Sequence, residues 1–267
     1  GDTVLAVDDL RSGHASVAHA QGVFLESVIG EAWRDAAREQ PLDCIFHLAA
    51  GVGPADVIRD PHALLQDHAA DVQAVLSVAR ATGATVVFTS SSEVYGSRLG
   101  SCHESDECTL YPPQYPRSAY AISKLHCEAL LLSQTDAPVI VTRLFNVVGA
   151  GQRPAFVLPI FVRAALRGLP IPMHGGGEAM RCLTSVHDTV TALIALAECE
   201  RARGQIVNVG AEQPVMSVRA LARRVGYYLH AHYGIPVPQI EQVPYEETGD
   251  AVWGRMKARI PNVDKLE

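Results

Sequence analysis

Tyr120 and Lys124 stand four residues apart in Ser118-Ala-Tyr-Ala-Ile-Ser-Lys124, a spacing that puts a phenol and an ammonium on one face of a helix. A neighbouring cation favours a phenolate, so the pair predicts a tyrosine able to take a proton from an alcohol near neutral pH. An unassisted tyrosine titrates about three units too high for that work. The same spacing also arises on ordinary helix surfaces, and it gains meaning from its surroundings. Upstream, Val86-Val-Phe-Thr89 reads as a short buried strand running into the turn Ser90-Ser-Ser-Glu93. Hydroxyls delivered at the C-terminal end of a strand sit where open α/β sheets bind ligands.

The elements that must hold these groups alternate along the chain. The pattern predicts strands over 4–7, 44–48, 85–89 and 139–143, a turn over 8–13, and helices over 31–39, 64–82 and 119–134. Strands and helices in this alternation form a parallel, doubly wound α/β sheet. Beyond Gly149 the pattern loosens into helices over 156–167, 189–198 and 217–228, with Ser217 as a cap, and a strand over 205–209. Residues 169–172 and 175–177, rich in proline and glycine, read as loop.

A chain of 267 residues with 48% hydrophobic and 19% charged residues can bury a substantial core. A net charge of −7 and a pI near 5.9 argue against nucleic acid as a partner, while leaving room for a local basic pocket. No apolar run approaches about 18 residues and no leader pattern is visible, so no membrane association and a cytoplasmic location are expected. Six cysteines lack C-x-x-C spacing and read as reduced thiols, and eleven histidines show no metal-ligand spacing. Cys102, His103, Glu104, Asp106, Glu107 and Cys108 could be drawn as a metal site, but their setting reads better as a polar surface loop before Tyr111. No metal site is expected.

Seven stretches taken in order carry a resemblance that covers nearly the whole chain. They are Val7-Asp-Asp-Leu-Arg-Ser-Gly13, Phe46-His-Leu-Ala-Ala50, Ser90-Ser-Ser-Glu-Val-Tyr-Gly96, Tyr120 to Lys124, Arg143-Leu-Phe-Asn-Val-Val-Gly149, Arg181-Cys-Leu-Thr-Ser-Val-His-Asp188 and Val207-Asn-Val-Gly210. The chain resembles the extended short-chain dehydrogenase/reductase family, within it the NAD-dependent nucleotide-sugar epimerases, dehydratases and decarboxylases, and most closely in motif the UDP-glucuronate decarboxylases. The resemblance implies a Rossmann-like sheet with an NAD-binding part over 1–150 and a smaller, interleaved nucleotide-sugar-binding part over 151–267. The family's glycine-rich turn, which cradles a pyrophosphate, is not in this sequence, because the chain begins where the family's second strand begins. An upstream βα unit of roughly 25 to 30 residues is therefore expected, and relatives also continue beyond Leu266. The absent strand would sit centrally, leaving a gap in the hydrogen-bonded ladder. The rival expectation is a degenerate chain that cannot hold NAD.

By the same resemblance, Asp8, beside Asp9, takes the adenosine ribose hydroxyls and favours NAD over NADP, and Leu48-Ala49-Ala50 forms the small-residue turn beneath the cofactor. Tyr120 deprotonates a sugar 4-hydroxyl while hydride passes to the nicotinamide, Ser91 or Ser92 bonds that oxygen, and Lys124 also grips the nicotinamide ribose. Glu93 discriminates among reactions. Sugar 4,6-dehydratases present Asp-Glu at this point, and Ser92 cannot replace that acid, whereas Ser-Glu followed by Arg117 before the helix looks decarboxylase-like. Asn146, Arg181 and Arg259 match the family's nucleotide-contacting residues, with a planar fork suited to diphosphate on each arginine. A solvated surface role for Arg259 is the bland alternative. His68 departs from the usual asparagine, and Asp71-Val72 from Gly-Thr; His68 could simply satisfy a buried carbonyl. The helices over 64–82 and 119–134 carry apolar residues beyond one narrow face, and the family pairs them in a homodimer. The activity implied is UDP-glucuronate decarboxylation; a UDP-sugar 4-epimerase acting on UDP-glucose or UDP-glucuronate, and a non-catalytic binder of NAD or a nucleotide-sugar, are the alternatives.

Overall fold

Val86 and Phe88 pack into one hydrophobic cluster while Val87 between them packs into another, as a strand buried on both faces requires. Val139 and Val141 against Ile140 repeat the alternation on the neighbouring strand. The structure, a computed structural model, describes residues 3–10, 22–26, 35, 41–98, 100–244 and 257–267. The central sheet runs Ile206–Val209, Val139–Leu144, Thr85–Ser91, Cys44–His47 in spatial order, and all its pairs are parallel. Helices Pro61–Thr82 and Ser118–Leu132 cover one face through Val72, Val75, Val78, Cys127 and Leu131. Helix Val186–Glu198 covers the other through Leu193 and Leu196.

Val4–Asp8 and Gly22–Glu26 form a separate parallel pair, and among the described residues no ladder joins it to Cys44–His47. Val7 still packs on the first core cluster, while Phe46 in the edge strand Cys44–His47 and Leu48 just after it are 40% and 56% exposed. The helix expected over 31–39 lies outside the described residues apart from Asp35, as does the turn beyond Leu10.

Local chemistry sets the helix ends. Asp60 caps the helix Pro61–Thr82 by accepting from Ala63 N–H, Pro61 supplies the preset first turn, and Gly83 closes it at φ 77°. The helix starts three residues before the expected 64, and a short helix Pro54–Arg59 precedes it, too brief to show a period. The apolar breadth of this helix and of Ser118–Leu132 is consumed by packing on each other and on the sheet. The large exposed apolar side chains among the described residues lie elsewhere, including Leu166, Val190, Ile194, Tyr228 and Tyr233.

One loop expectation is corrected. Residues 171–174 form the strand Ile171–His174, paired in parallel with Ile240–Val243. Its alternate residues Ile171 and Met173 join Phe161, Leu221 and Ala222 in a second core, and Pro172 falls between them on a two-stranded edge where proline is tolerated. The turn at Gly175 remains. Ser217 caps its helix by accepting from Ala220 N–H, but that helix continues to Tyr233 before Gly234 ends it. The surface-loop expectation is also corrected at Cys102, which is buried in the short strand Ser101–Cys102 against Ala258–Pro261. No helix among the described residues is long and apolar enough to cross a membrane.

Candidate active site

The strand Thr85–Ser91 ends in a tight turn, Ser92–Tyr95, whose first N–H groups need acceptors. Ser91 Oγ provides one, accepting from Glu93 N–H at 3.2 Å. The same hydroxyl lies near enough to the Tyr120 phenol to favour its ionised form. Ser91 is thus the serine that reaches the tyrosine, and Ser92 is buried.

Lys124 shares the helix face of Tyr120, whose phenol is nonetheless raised rather than lowered. Its Nζ donates to Thr89 carbonyl oxygen at 2.8 Å and stands 6.0 Å from the centre of the Tyr120 ring. Burial pushes the phenol up to about 12, the Glu93 carboxylate adds to the rise, and Ser91, Arg117 and Arg259 oppose it. Burial also takes Lys124 down to about 8. The phenol rises because its own burial outweighs the neighbours that favour the ionised form.

Beside Lys124 lie His47 and His68, both buried and each brought down to about 3 by burial first and the Lys124 charge second. His68 accepts from Gly51 N–H at 3.0 Å, and its other ring nitrogen is 2.8 Å from Ser123 Oγ, so it serves an amide and a hydroxyl rather than a carbonyl.

Glu93 has the opposite surroundings. Arg117 Nη2 is 2.6 Å and Arg259 Nη1 3.3 Å from its Oε1. Burial alone would raise the carboxyl, but the Arg259 and Arg117 guanidiniums outweigh it and hold it below the usual carboxylate range, with Arg181 contributing. Arg181 and Arg259 occupy matched positions on paired parallel strands, which puts them on the same face of that ladder. Arg259 is therefore half of a buried ion pair, not a solvated surface residue. Three guanidiniums around one carboxylate leave the cluster cationic.

The remaining expected residues surround this centre at greater distance. Asn146 adopts φ 38° and donates from Nδ2 to Cys182 carbonyl oxygen at 3.1 Å, which turns the chain after Leu144 toward Thr184. Asp8 ends its strand exposed, with Oδ1 accepting from Leu10 N–H, and Asp9 follows it. Leu48, Ala49 and Ala50 follow the strand Cys44–His47; Leu48 and Ala49 are exposed. At Gly51 an added Cβ would meet Leu64 Cδ1 at 2.8 Å, so the turn runs hard against its helix. These groups suit a dinucleotide: a carboxylate at a strand end, a small-residue turn and a buried lysine on the helix of the phenol.

A network that sequence reasoning did not assign lies behind the site. Arg143 forks onto Glu128 at 3.0 and 2.7 Å, Ser90 Oγ donates to the same carboxylate, and the Arg143 guanidinium lies 4.7 Å above the Tyr95 ring. Tyr95 OH donates to Asn208 Oδ1 at 2.7 Å, tying the serine turn to the strand Ile206–Val209. Charged Glu128 and Arg143 in otherwise apolar runs were the only signal available. Among the described residues no group of three or more His, Cys, Asp or Glu side chains could hold a metal ion.

The family model of the NAD dependent epimerase/dehydratase family matches residues 1–210. The chain is 31% identical over 230 residues to a UDP-N-acetyl-alpha-D-glucosaminuronate decarboxylase of Bacillus cytotoxicus, covering 84% of this chain and 70% of that protein. It is 29% identical over 160 residues to UDP-glucuronic acid decarboxylase 1 of Xenopus tropicalis, covering 58% of this chain and only 38% of that one. A dTDP-glucose 4,6-dehydratase from Streptomyces venezuelae, solved with NAD bound, superposes with a TM-score of 0.82 at 26% identity, covering 100% of this chain and 80% of that one. An epimerase from Methanothermobacter thermautotrophicus has the same fold, with a TM-score of 0.84 at 22% identity over 98% of this chain and 77% of that one.

Proposed function

The chain belongs to the NAD dependent epimerase/dehydratase family, and from that premise we propose that it decarboxylates a UDP-linked hexuronic acid through a 4-keto sugar. The observation that carries this reading is the ionised Glu93 held between Arg117 and Arg259 beside the Tyr120 phenol. A hexuronate brings a C6 carboxylate as well as a diphosphate, and a cationic cluster next to the proton-transfer tyrosine suits the former. A neutral hexose needs guanidinium only at its diphosphate.

When bound, NAD accepts the C4 hydride and later returns it. Tyr120 takes the proton of the 4-hydroxyl, and Ser91 hydrogen-bonds that oxygen. Asp8 and Asp9 would hold the adenosine ribose, Leu48 to Ala50 would pass beneath the cofactor, and Lys124 would hold the nicotinamide ribose. The ketone at C4 makes the C6 carboxylate part of a β-keto acid. The C5–C6 bond then breaks, carbon dioxide leaves, and the electron pair moves into the enolate whose charge rests on the C4 oxygen. Tyr120, now protonated, and Ser91 donate to that oxygen. Water would supply the proton at C5, and with the hydride returned from the reduced nicotinamide to C4, Tyr120 would give its proton back to the C4 oxygen, leaving a UDP-pentose. Arg181, Arg259 and Asn146 hold the nucleotide diphosphate side, and Arg117 shares the carboxylate with Arg259.

Ser92 stands buried where a dehydratase would present the acid that protonates a departing 6-hydroxyl, which counts against dehydration. The test is incubation of the full-length protein with NAD and, separately, UDP-glucuronate and UDP-N-acetylglucosaminuronate, followed by product mass and sugar configuration. Loss of carbon dioxide from either supports the reading. Unchanged mass with inverted C4 makes the protein an epimerase, and no turnover makes it a binder.

A further inference from the structure

His68 is held at both ring nitrogens by groups whose directions are fixed. Gly51 N–H can only donate, so Nε2 accepts it at 3.0 Å. Nδ1 must then carry the proton, and it donates to Ser123 Oγ at 2.8 Å. Ser123 spends its own proton on the Tyr120 carbonyl oxygen at 2.9 Å. Every donor in this chain has an acceptor, from the turn after the strand Cys44–His47, across the helix Pro61–Thr82, to the backbone of Tyr120. Cys127 Sγ donates to His68 carbonyl oxygen at 3.4 Å and adds a second tie to the helix Ser118–Leu132. A protonated ring would set an N–H against the Gly51 N–H, and burial beside Lys124 keeps the imidazole neutral.

Packing strengthens the link. A Cβ at Gly51 would collide with Leu64 Cδ1, so the turn already lies in contact with the helix one turn before His68. His68 is 4% exposed and its ring meets the Tyr120 ring edge-on, with centroids 6.4 Å apart.

We propose that His68 is a positioning residue for NAD, fastening the turn Leu48–Gly51 to the helix that carries Tyr120 and Lys124 so that both keep one geometry. The inference rests on reading that turn as the one beneath the cofactor, and is independent of which sugar is transformed. A residue that merely filled space would do as well with any ring of similar size. A positioning residue needs the acceptor facing Gly51 and the donor facing Ser123.

The experiment compares the full-length protein with His68→Phe and His68→Asn, reading Gly51 amide exchange, the ring 15N shifts of His68 and NAD affinity without any sugar. The wild type is expected to show a neutral Nδ1–H ring and a slowly exchanging Gly51 amide. His68→Phe is expected to lose that protection and to weaken NAD about tenfold, the scale of one net hydrogen bond. His68→Asn, which still offers an acceptor and a donor, is expected to stay within about threefold. Equal NAD affinity in wild type and His68→Phe, or equal loss in both variants, overturns the proposal. If His68→Phe does not fold, Ser123→Ala replaces it. That change removes the acceptor of Nδ1–H together with the Ser123 donation to the Tyr120 carbonyl oxygen, and unmoved Gly51 exchange with unmoved NAD affinity would then refute the proposal. Because no sugar is present, failure here leaves the decarboxylase reading untouched.

Discussion

Two buried polar clusters flank Tyr120, and burial shifts them in different ways. Lys124, His47 and His68 are each at most 5% exposed, and burial pushes all three toward their neutral forms. Glu93 and Arg117 are also buried, with side chains 14% and 8% exposed, yet Glu93 is held ionised. The difference lies in pairing. Glu93 has guanidiniums within ion-pair distance, whereas Lys124 meets a backbone carbonyl and each imidazole faces a cation. Burial suppresses charge where the opposite charges nearby are too weak to offset it. The tyrosine therefore stands between a side with weak charge, suited to a dinucleotide, and a side with strong charge, suited to anions.

The largest expected effect comes from removing the group between the two clusters. Tyr120→Phe should lower turnover by about 10³-fold with folding intact, checked by steady-state kinetics and circular dichroism. Glu93→Ala strips the charged side of its anion and leaves buried guanidiniums facing each other. It should destabilise the fold by about 3 kcal/mol in denaturant unfolding, and a loss below about 1 kcal/mol would mean the cluster is far more hydrated than its burial indicates.

The weakly charged side predicts a pH window. Lys124 titrates at about 8 in the folded protein and near about 10.4 in an unfolded chain. Between those values the unfolded state binds more protons, so stability should rise with pH across the window. The cost of burying the ammonium is fully present below it. Lys124→Met should remove that rise, by up to about 3 kcal/mol, in unfolding curves measured from pH 7 to 10.5. The smallest effect sharpens the comparison most. Glu93→Gln deletes a charge that raises Tyr120 and keeps the arginines that lower it, so the phenol should titrate lower than its present value of about 12 in a tyrosinate absorbance titration. A rise would show that the two sides do not act on Tyr120 as the geometry implies.

Sequence reading reached the helix of Tyr120, the strand that delivers Ser91 and the parallel alternation, because apolar period and turn residues specify these locally. It could not separate Ser91 from Ser92, since that depends on which hydroxyl caps a four-residue turn. Nor could it aim Lys124, whose partner Thr89 lies on a different element. Arg259 meets Glu93 across 166 residues of chain, and only the ladder of Ala258–Pro261 beside Met180–Arg181 brings it there. Proline hid the strand Ile171–His174, where burial of Ile171 and Met173 overrides local propensity.

The central claim is that the charged side of Tyr120 receives a C6 carboxylate destined to leave. The full-length protein with NAD and UDP-glucuronate labelled with carbon-13 at C6 tests it directly. The account predicts labelled carbon dioxide in step with a UDP-pentose, both abolished by Tyr120→Phe and strongly reduced by Arg259→Gln. A consumed substrate whose label stays in the sugar would contradict it.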